Sequence, residues 1–404
     1  MKSLNRLGGV ACAVFFLAAG TGTEALAQKA DAVRPEVGKP LQEAQNLLRS
    51  GKHREAMAKV NEADAVSGKS ANESLLIQRM RGSVASAAGD MEAANKAFES
   101  VLNSGKVSGR DALQMEQAIA VNHYKAKEYA AAAQWTQRYF KEGGTDPAMR
   151  TVLLQSYYLG NDCGSVNKML GGGGEDRKSS EEELQILANC YLRQKDTAGY
   201  VNAIEKLVIH YPKKEYWTDL LSRVQKKPGF SDRLALHVYR LRLATGNLSG
   251  TNDYFEMAQL ALQAGFPGEA KTVVDKGYEM KALGTGKEAE RHQRLRDLVT
   301  KSLAEVQKTR AKDEQAADTA ADGNDLVKIG LEYIYEGQGD KGFAMVDKGL
   351  KKGGLKRPED AKLSLGEAQL ANGHKARGVQ TLKTVQGADG AADIARLWVL
   401  YARG

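Results

Sequence analysis

Long apolar runs are missing from this chain. No stretch approaches 18 uninterrupted apolar residues, so a polytopic membrane protein is excluded. Proline is scarce, 7 in 404 residues, and aromatics make up only 6%. A β-sandwich should be richer in aromatic and β-branched residues, so the balance favours helices. Cysteine is rarer still, with 3 in the whole chain, too few for a disulfide-built scaffold. One-sided charge is absent too: 58 Lys and Arg face 50 Asp and Glu, with the signs interleaved. A nucleic-acid binder would concentrate its basic residues on one face, so the charge supports only a weak preference for acidic partners or anionic surfaces. What remains is 42% hydrophobic and 27% charged residues, enough for a large ordered core and against wholesale disorder.

The N-terminus is tripartite. Lys2 and Arg6 are followed by an apolar run from Val10 to Gly20, then Ala25-Leu26-Ala27 before Gln28. That is the pattern of a secretory signal peptide cleaved after Ala27. Cys12 does not sit in a lipobox, because Gly9-Val10-Ala11 precede it and the apolar core mostly follows it. The expectation is a soluble mature chain, periplasmic or secreted, with no transmembrane segment and a net charge of +7 once Lys2, Arg6 and Glu24 are removed. Two cysteines would then remain, Cys163 and Cys190. In an exported protein they are a disulfide candidate, contributing about 3.5 kcal/mol if the geometry permits, against the alternative of two small buried hydrophobes.

The chain repeats itself. Leu184, Leu187, Ala188 and Tyr191 mark a first helix, Lys195-Asp196 a turn, Ile204 and Leu207 a second helix, and Pro212 its end. Leu153, Leu154 and Tyr157 stand 34 residues before Leu187, Ala188 and Tyr191. Further units carry Ala44 with Ala56, Val60 and Ala63; Gly82 with Ala94 and Phe98; and Val121 and Tyr124 with Tyr129 and Ala132. Downstream come Ala258 with Ala270 and Val274, Gly330 with Tyr333, and Gly366 with Leu382 and Val385. A small residue on the first helix lets the hairpin close, and large ones fill the space between hairpins.

This spacing resembles the tetratricopeptide repeat. The resemblance implies an all-α, right-handed superhelical solenoid of antiparallel helix hairpins, with Ala391 to Tyr401 as a C-terminal capping helix. The sequence departs from the family in lacking tryptophan at the usual first-helix position and in having a clear closing proline only at Pro212. The expected organisation is a signal peptide over 1–27, a flexible stretch over 28–36, and an N-terminal array over 37–300. That array includes a degenerate unit at 216–244, with its turn at Lys227-Pro228-Gly229-Phe230. A charged helix and linker follow over 301–323, then C-terminal repeats and the cap over 324–404. Gly171 to Gly174 reads as a flexible loop. In this phase Cys163 starts a second helix and Cys190 lies in the next first helix, so a staple between adjacent repeats is expected.

In the family, the position after the small residue of each first helix faces the concave groove. Here that position holds Gln45, Ser83, Asn122, Gln155, Asn189, Gln259, Leu331 and Glu367. The amides could form a ladder that bonds an extended peptide backbone, with Lys125, Tyr158 and Arg193 adding charge and stacking. The bland alternative is a solvated polar face.

No enzyme, cofactor or metal site is expected. Neither Gly171–Gly174 nor Gly284-Thr285-Gly286-Lys287 fits G-x-x-x-x-G-K-[ST]. The six histidines are scattered without a zincin pair, and no G-x-S-x-G elbow occurs. The expected function is therefore a periplasmic scaffold or adaptor binding a protein partner in the groove, and not a nucleic acid. The alternative is an accessory factor for assembly or export of envelope polysaccharide or peptidoglycan, with a glycan as partner. Of the first-helix tyrosines available to a glycan, Tyr157, Tyr191 and Tyr333 sit at core positions of the repeat.

Overall fold

A computed structural model describes residues 32–171 and 179–403. The expected signal peptide, Cys12 and Gly172 to Gly174 lie outside them. The described residues are helical throughout, with no strand among them and no helix long and apolar enough to cross a membrane. The chain divides into two compact units, 1–177 and 178–404.

The first unit is a run of four hairpins. They are α1 (Pro35–Arg49) with α2 (His53–Ala65), α3 (Ala71–Ala88) with α4 (Met91–Asn103), α5 (Gly109–Lys125) with α6 (Tyr129–Lys141), and α7 (Pro147–Leu159) with α8 (Cys163–Gly171). The second helices α2, α4 and α6 also pack on the first helix of the next hairpin, and α1 touches α3 as α5 touches α7. Capping is local and explicit. Ser70 and Glu73 form a reciprocal capping box at α3, and Asp90 and Asp146 cap α4 and α7. Four of the seven prolines stand at helix starts: Pro35, Pro147, Pro267 and Pro358 all occupy the first turn, where no N–H is needed.

The second unit begins with α9 (Glu181–Arg193) and α10 (Thr197–His210), followed by α11 (Lys214–Gln225) and α12 (Ala235–Ala244). Then come α13 (Thr251–Gln263) with α14 (Pro267–Glu279), the 31-residue α15 (Ala289–Thr319), α16 (Asn324–Tyr335) with α17 (Gly339–Lys352), α18 (Pro358–Ala371) with α19 (Lys375–Lys383), and α20 (Ala391–Tyr401).

The period is written in the turns. A residue with left-handed φ stands at Gly51, Gly89, Lys127, Asn161, Lys195, Gly229, Gly265, Gly337 and Gly373. Successive members are 34 to 38 residues apart, except that Gly265 and Gly337 are two periods apart; the missing beat falls inside α15. Between the helices, the small residues do what the repeat requires. Gly82 lies against the Phe98 ring, Gly366 against Leu382, and Gly330 against Val346 and the backbone of Gly342. The all-α hairpin array expected from the sequence is the observed fold.

Three boundaries differ from the sequence reading. The chain divides at 177/178, not across 301–323. Residues 316–323 are anchored at both ends: Ala317 is buried, Lys352 Nζ donates to the Ala317 carbonyl at 3.1 Å, and the Gly323 N–H donates to Gly353 O at 2.9 Å. Nor is α15 simply solvated. It buries His292, Leu295 and Val299, and its charges reach the next hairpin through Arg310–Glu336, Lys341–Glu314 and Lys348–Asp318.

The degenerate segment is not a paired hairpin, because α11 packs on α10 whereas α12 packs on α13 and α20. The last helix, α20, caps the final hairpin as expected and also reaches back along the unit. It is buried at Ala391, Ile394, Ala395 and Leu397–Leu400, and it packs on α10 and α12 as well as on α18 and α19. Arg396–Glu205, Lys227–Asp393 (2.8 Å) and Arg233–Asp389 (2.7 Å) tie the chain end to these earlier helices.

Candidate functional site

In the first unit the polar residues of the first helices do form a ladder, but much of it is turned inward. Asn122 is buried (1% exposed); it accepts from the Ser86 hydroxyl at 2.9 Å and donates to Asn95 Oδ1 at 3.0 Å. Gln155 is also buried and accepts from the Tyr124 hydroxyl at 2.7 Å. Arg79–Asp111 (2.9 Å) and Gln117–Asp146 (3.0 Å) complete the set. These bonds link α5 to both helices of the preceding hairpin, α3 and α4, and to α7. Asn122 and Gln155 therefore act as stitches between hairpins rather than as open contacts for a peptide. A buried amide must find partners, and here the preceding hairpin supplies them.

The other candidates remain accessible to differing degrees. Lys125 is exposed, and Gln45 and Tyr158 are half-buried on the same unit. On the second unit, Asn189 and Arg193 are exposed on α9 and Gln259 is half-buried on α13; Asn189 Nδ2 donates to Gln185 O at 2.9 Å. The groove positions Leu331 and Glu367 are buried. So are Tyr157 and Tyr333, which offer no stacking platform to a glycan. Cys163 opens α8 and Cys190 lies within α9, each buried in its own unit.

Sequence reading missed a buried ionic cluster in the second unit. Arg240 of α12 makes a two-point contact with Glu269 of α14, at 2.7 Å through each of two nitrogens, and a 3.1 Å contact with Glu367 of α18. Glu367 also meets His237 Nδ1 at 2.8 Å and accepts from Trp398 Nε1 of α20 at 2.8 Å. Burial works against the Arg240 charge, but Glu269 in contact outweighs it and holds the guanidinium charged more firmly than usual. The cluster pins four helices from distant parts of the chain. Its sequence signal was weak: Arg240 lies in a largely apolar helix, but so does Arg242.

Two carboxyls are pushed toward neutrality. Burial, with Glu142 nearby, lifts Glu116 to about 7 even though Arg138 sits 2.7 Å away. Burial likewise lifts Glu332 to about 7, against the Gly268 N–H that donates to it at 2.7 Å. Among the described residues, no group of three or more His, Cys, Asp or Glu is placed to hold a metal ion.

One open cleft stands out, about 710 Å³, between the C-terminal end of α17, the start of α18 and the end of α19. Its walls include Leu350, Leu355, Pro358 and Leu365, with Gln380 and Thr384 opposite.

No protein-family model matches the chain, and no curated protein matches it. Among solved structures it is similar to a chain in the structure of Naa15/Naa10 bound to HypK-THB, at 16% identity and a TM-score of 0.33, covering 89% of this chain and 59% of that one. It is also similar to yeast Tom70, at 10% identity and a TM-score of 0.27, covering 91% of this chain and 95% of that one. The chain thus spans little more than half the length of the first of these.

Proposed function

We propose that this protein is an exported, non-catalytic scaffold that holds a segment of a partner protein, in the periplasm or outside the cell, with assembly of envelope complexes as its setting. The supporting observation is the row of first helices α3, α5 and α7. Their polar side chains are bonded to one another across hairpins, so the surface beside them, around Lys125 and Tyr158, is held at fixed spacing. A face that is already ordered loses little freedom on binding. A short segment bound there would have a Kd near micromolar, about −8 kcal/mol. Export rests on the N-terminal pattern read above. Catalysis is left out because the buried His237–Glu367 pair is engaged by Arg240 and Trp398.

Crosslinking of the protein in its own cell envelope, followed by mass spectrometry, tests the reading. One or two proteins crosslinked beside Lys125 and Tyr158 are expected. Glycan adducts without a reproducible protein would sink it. Intact-mass measurement of the exported form should place the N-terminus at Gln28, and Cys163 and Cys190 should resist alkylation until reduced. Retention of Met1 would remove the export element.

A further inference from the structure

We propose that the cleft between α17, α18 and α19 binds a segment of a partner protein in which apolar anchor residues are flanked by Asp or Glu. This deepens the scaffold reading and rests on it.

The shape comes from the chain. Gly353 and Gly354, both with left-handed φ (+76° and +65°), carry the backbone out of α17. Leu350 and Leu355 are left half-buried against a core cluster that includes Leu365. The volume, about 710 Å³, falls within the usual range for ligand sites. No aromatic ring is among its walls, which disfavours a stacked base or sugar.

The segment that builds it is basic, unlike the whole chain, although Asp322 stands beside Gly354. Residues 348–383 carry nine Lys or Arg against three Asp or Glu. All three carboxylates are already engaged: Glu359 with Lys362 at 2.7 Å, Asp360 with Arg233 at 2.8 Å, and Glu367 in the buried cluster. Lys351, Arg357 and Lys383 are exposed, and no carboxylate partner is found for them among the described residues. The N-terminus of α18 adds partial positive charge beside Pro358. An apolar slot with a basic rim attracts an acidic segment by long-range charge and holds it by burial.

The test selects short random peptides displayed on phage against the full chain, then measures the enriched peptide by fluorescence anisotropy. Two variants probe the two halves of the idea: Thr384→Trp, which fills the cleft, and Lys351→Glu/Arg357→Glu/Lys383→Glu, which reverses the rim. All four positions are exposed, and circular dichroism checks that both variants fold. Enriched peptides should combine Leu, Ile or Phe with Asp or Glu, bind at least tenfold more weakly to each variant, and weaken with salt.

Neutral or basic consensus peptides, or binding unchanged by Thr384→Trp, would overturn the proposal. So would a dimer that Thr384→Trp dissolves, or phosphatidylglycerol vesicles displacing the peptide and binding the rim by charge alone. Envelope crosslinks that persist beside Lys125 in both variants would leave the scaffold reading standing while the cleft falls. Peptide binding at the cleft without any envelope partner would do the reverse.

Discussion

Replacing Gly330 by alanine should unfold the α16–α17 hairpin more easily, although alanine is the better helix former. A Cβ at Gly330 would stand 2.8 Å from Gly342 O, 2.8 Å from Val346 Cγ2 and 2.9 Å from Val346 N. Two of these atoms are backbone, so no rotamer change relieves the clash; the two helices must separate. Overpacking of this kind costs about 1–3 kcal/mol, and a radial gap of ~0.5–1 Å forfeits a quarter to a half of the local dispersion well. Alanine returns about 1 kcal/mol of helix propensity. The net loss should be about 1 kcal/mol, lowering the melting point of a unit this size by about 2–4 °C. Gly82 gives the contrasting case. The three atoms nearest its added Cβ all belong to the Phe98 ring, the first at 2.5 Å, so Phe98→Leu should recover at least half the loss of Gly82→Ala. Val346→Ala should recover little of the loss of Gly330→Ala. Denaturant unfolding by circular dichroism gives the size, and hydrogen exchange over residues 324–352 gives the place. A Gly330→Ala protein as stable as the parent would refute the close-packing argument.

The buried cluster makes a second prediction. Glu367→Ala removes the acceptor shared by Arg240, His237 and Trp398 and should cost about 3–5 kcal/mol by urea titration; a loss below about 1 kcal/mol would mean that water enters the site. Asn122→Ala leaves Asn95 and Ser86 without their partner and should cost about 1–3 kcal/mol, with less exchange protection in α3 and α5 as the readout. Stability should also depend on pH. Glu116 and Glu332, lifted to about 7 chiefly by burial, take up protons on folding. Their contribution is fully present below about pH 4.3 and is lost as pH rises through 7, on the order of 1 kcal/mol each. Glu73 works the other way. Held near 2 first by its hydrogen bond with Arg34, it stabilises above about pH 4.3 and loses this as pH falls toward 2. Unfolding midpoints measured from pH 4.5 to 8 should therefore decline, and Glu116→Gln with Glu332→Gln should flatten the decline; a rising profile would contradict it.

What the sequence could and could not disclose follows from the range of each interaction. Gly82 pairs with Phe98 across one tight turn, as Gly366 pairs with Leu382. A small residue opposite a large one at a fixed interval is a pattern a linear reading detects, and the left-handed turn residues at Lys127, Asn161 and Lys195 fall on the same interval. The polar row was also found, but not its direction. Asn122 and Asn189 have the same sequence signature, yet Asn122 is enclosed by Ser86 and Asn95 while Asn189 is exposed. Only the neighbouring hairpins decide between these states. The second unit went furthest astray because its organising contacts span the longest separations. Glu205, Lys227 and Arg233 each look like ordinary surface charges until residues 389–396 arrive beside them. Arg240 gave little notice, since Arg242 and His237 stand in the same helix, and nothing local names Glu269 and Glu367 as the groups that neutralise it. The same reasoning bears on the cleft. Its basic rim is visible in composition over residues 348–383, whereas its apolar walls exist only once α17, α18 and α19 are folded together.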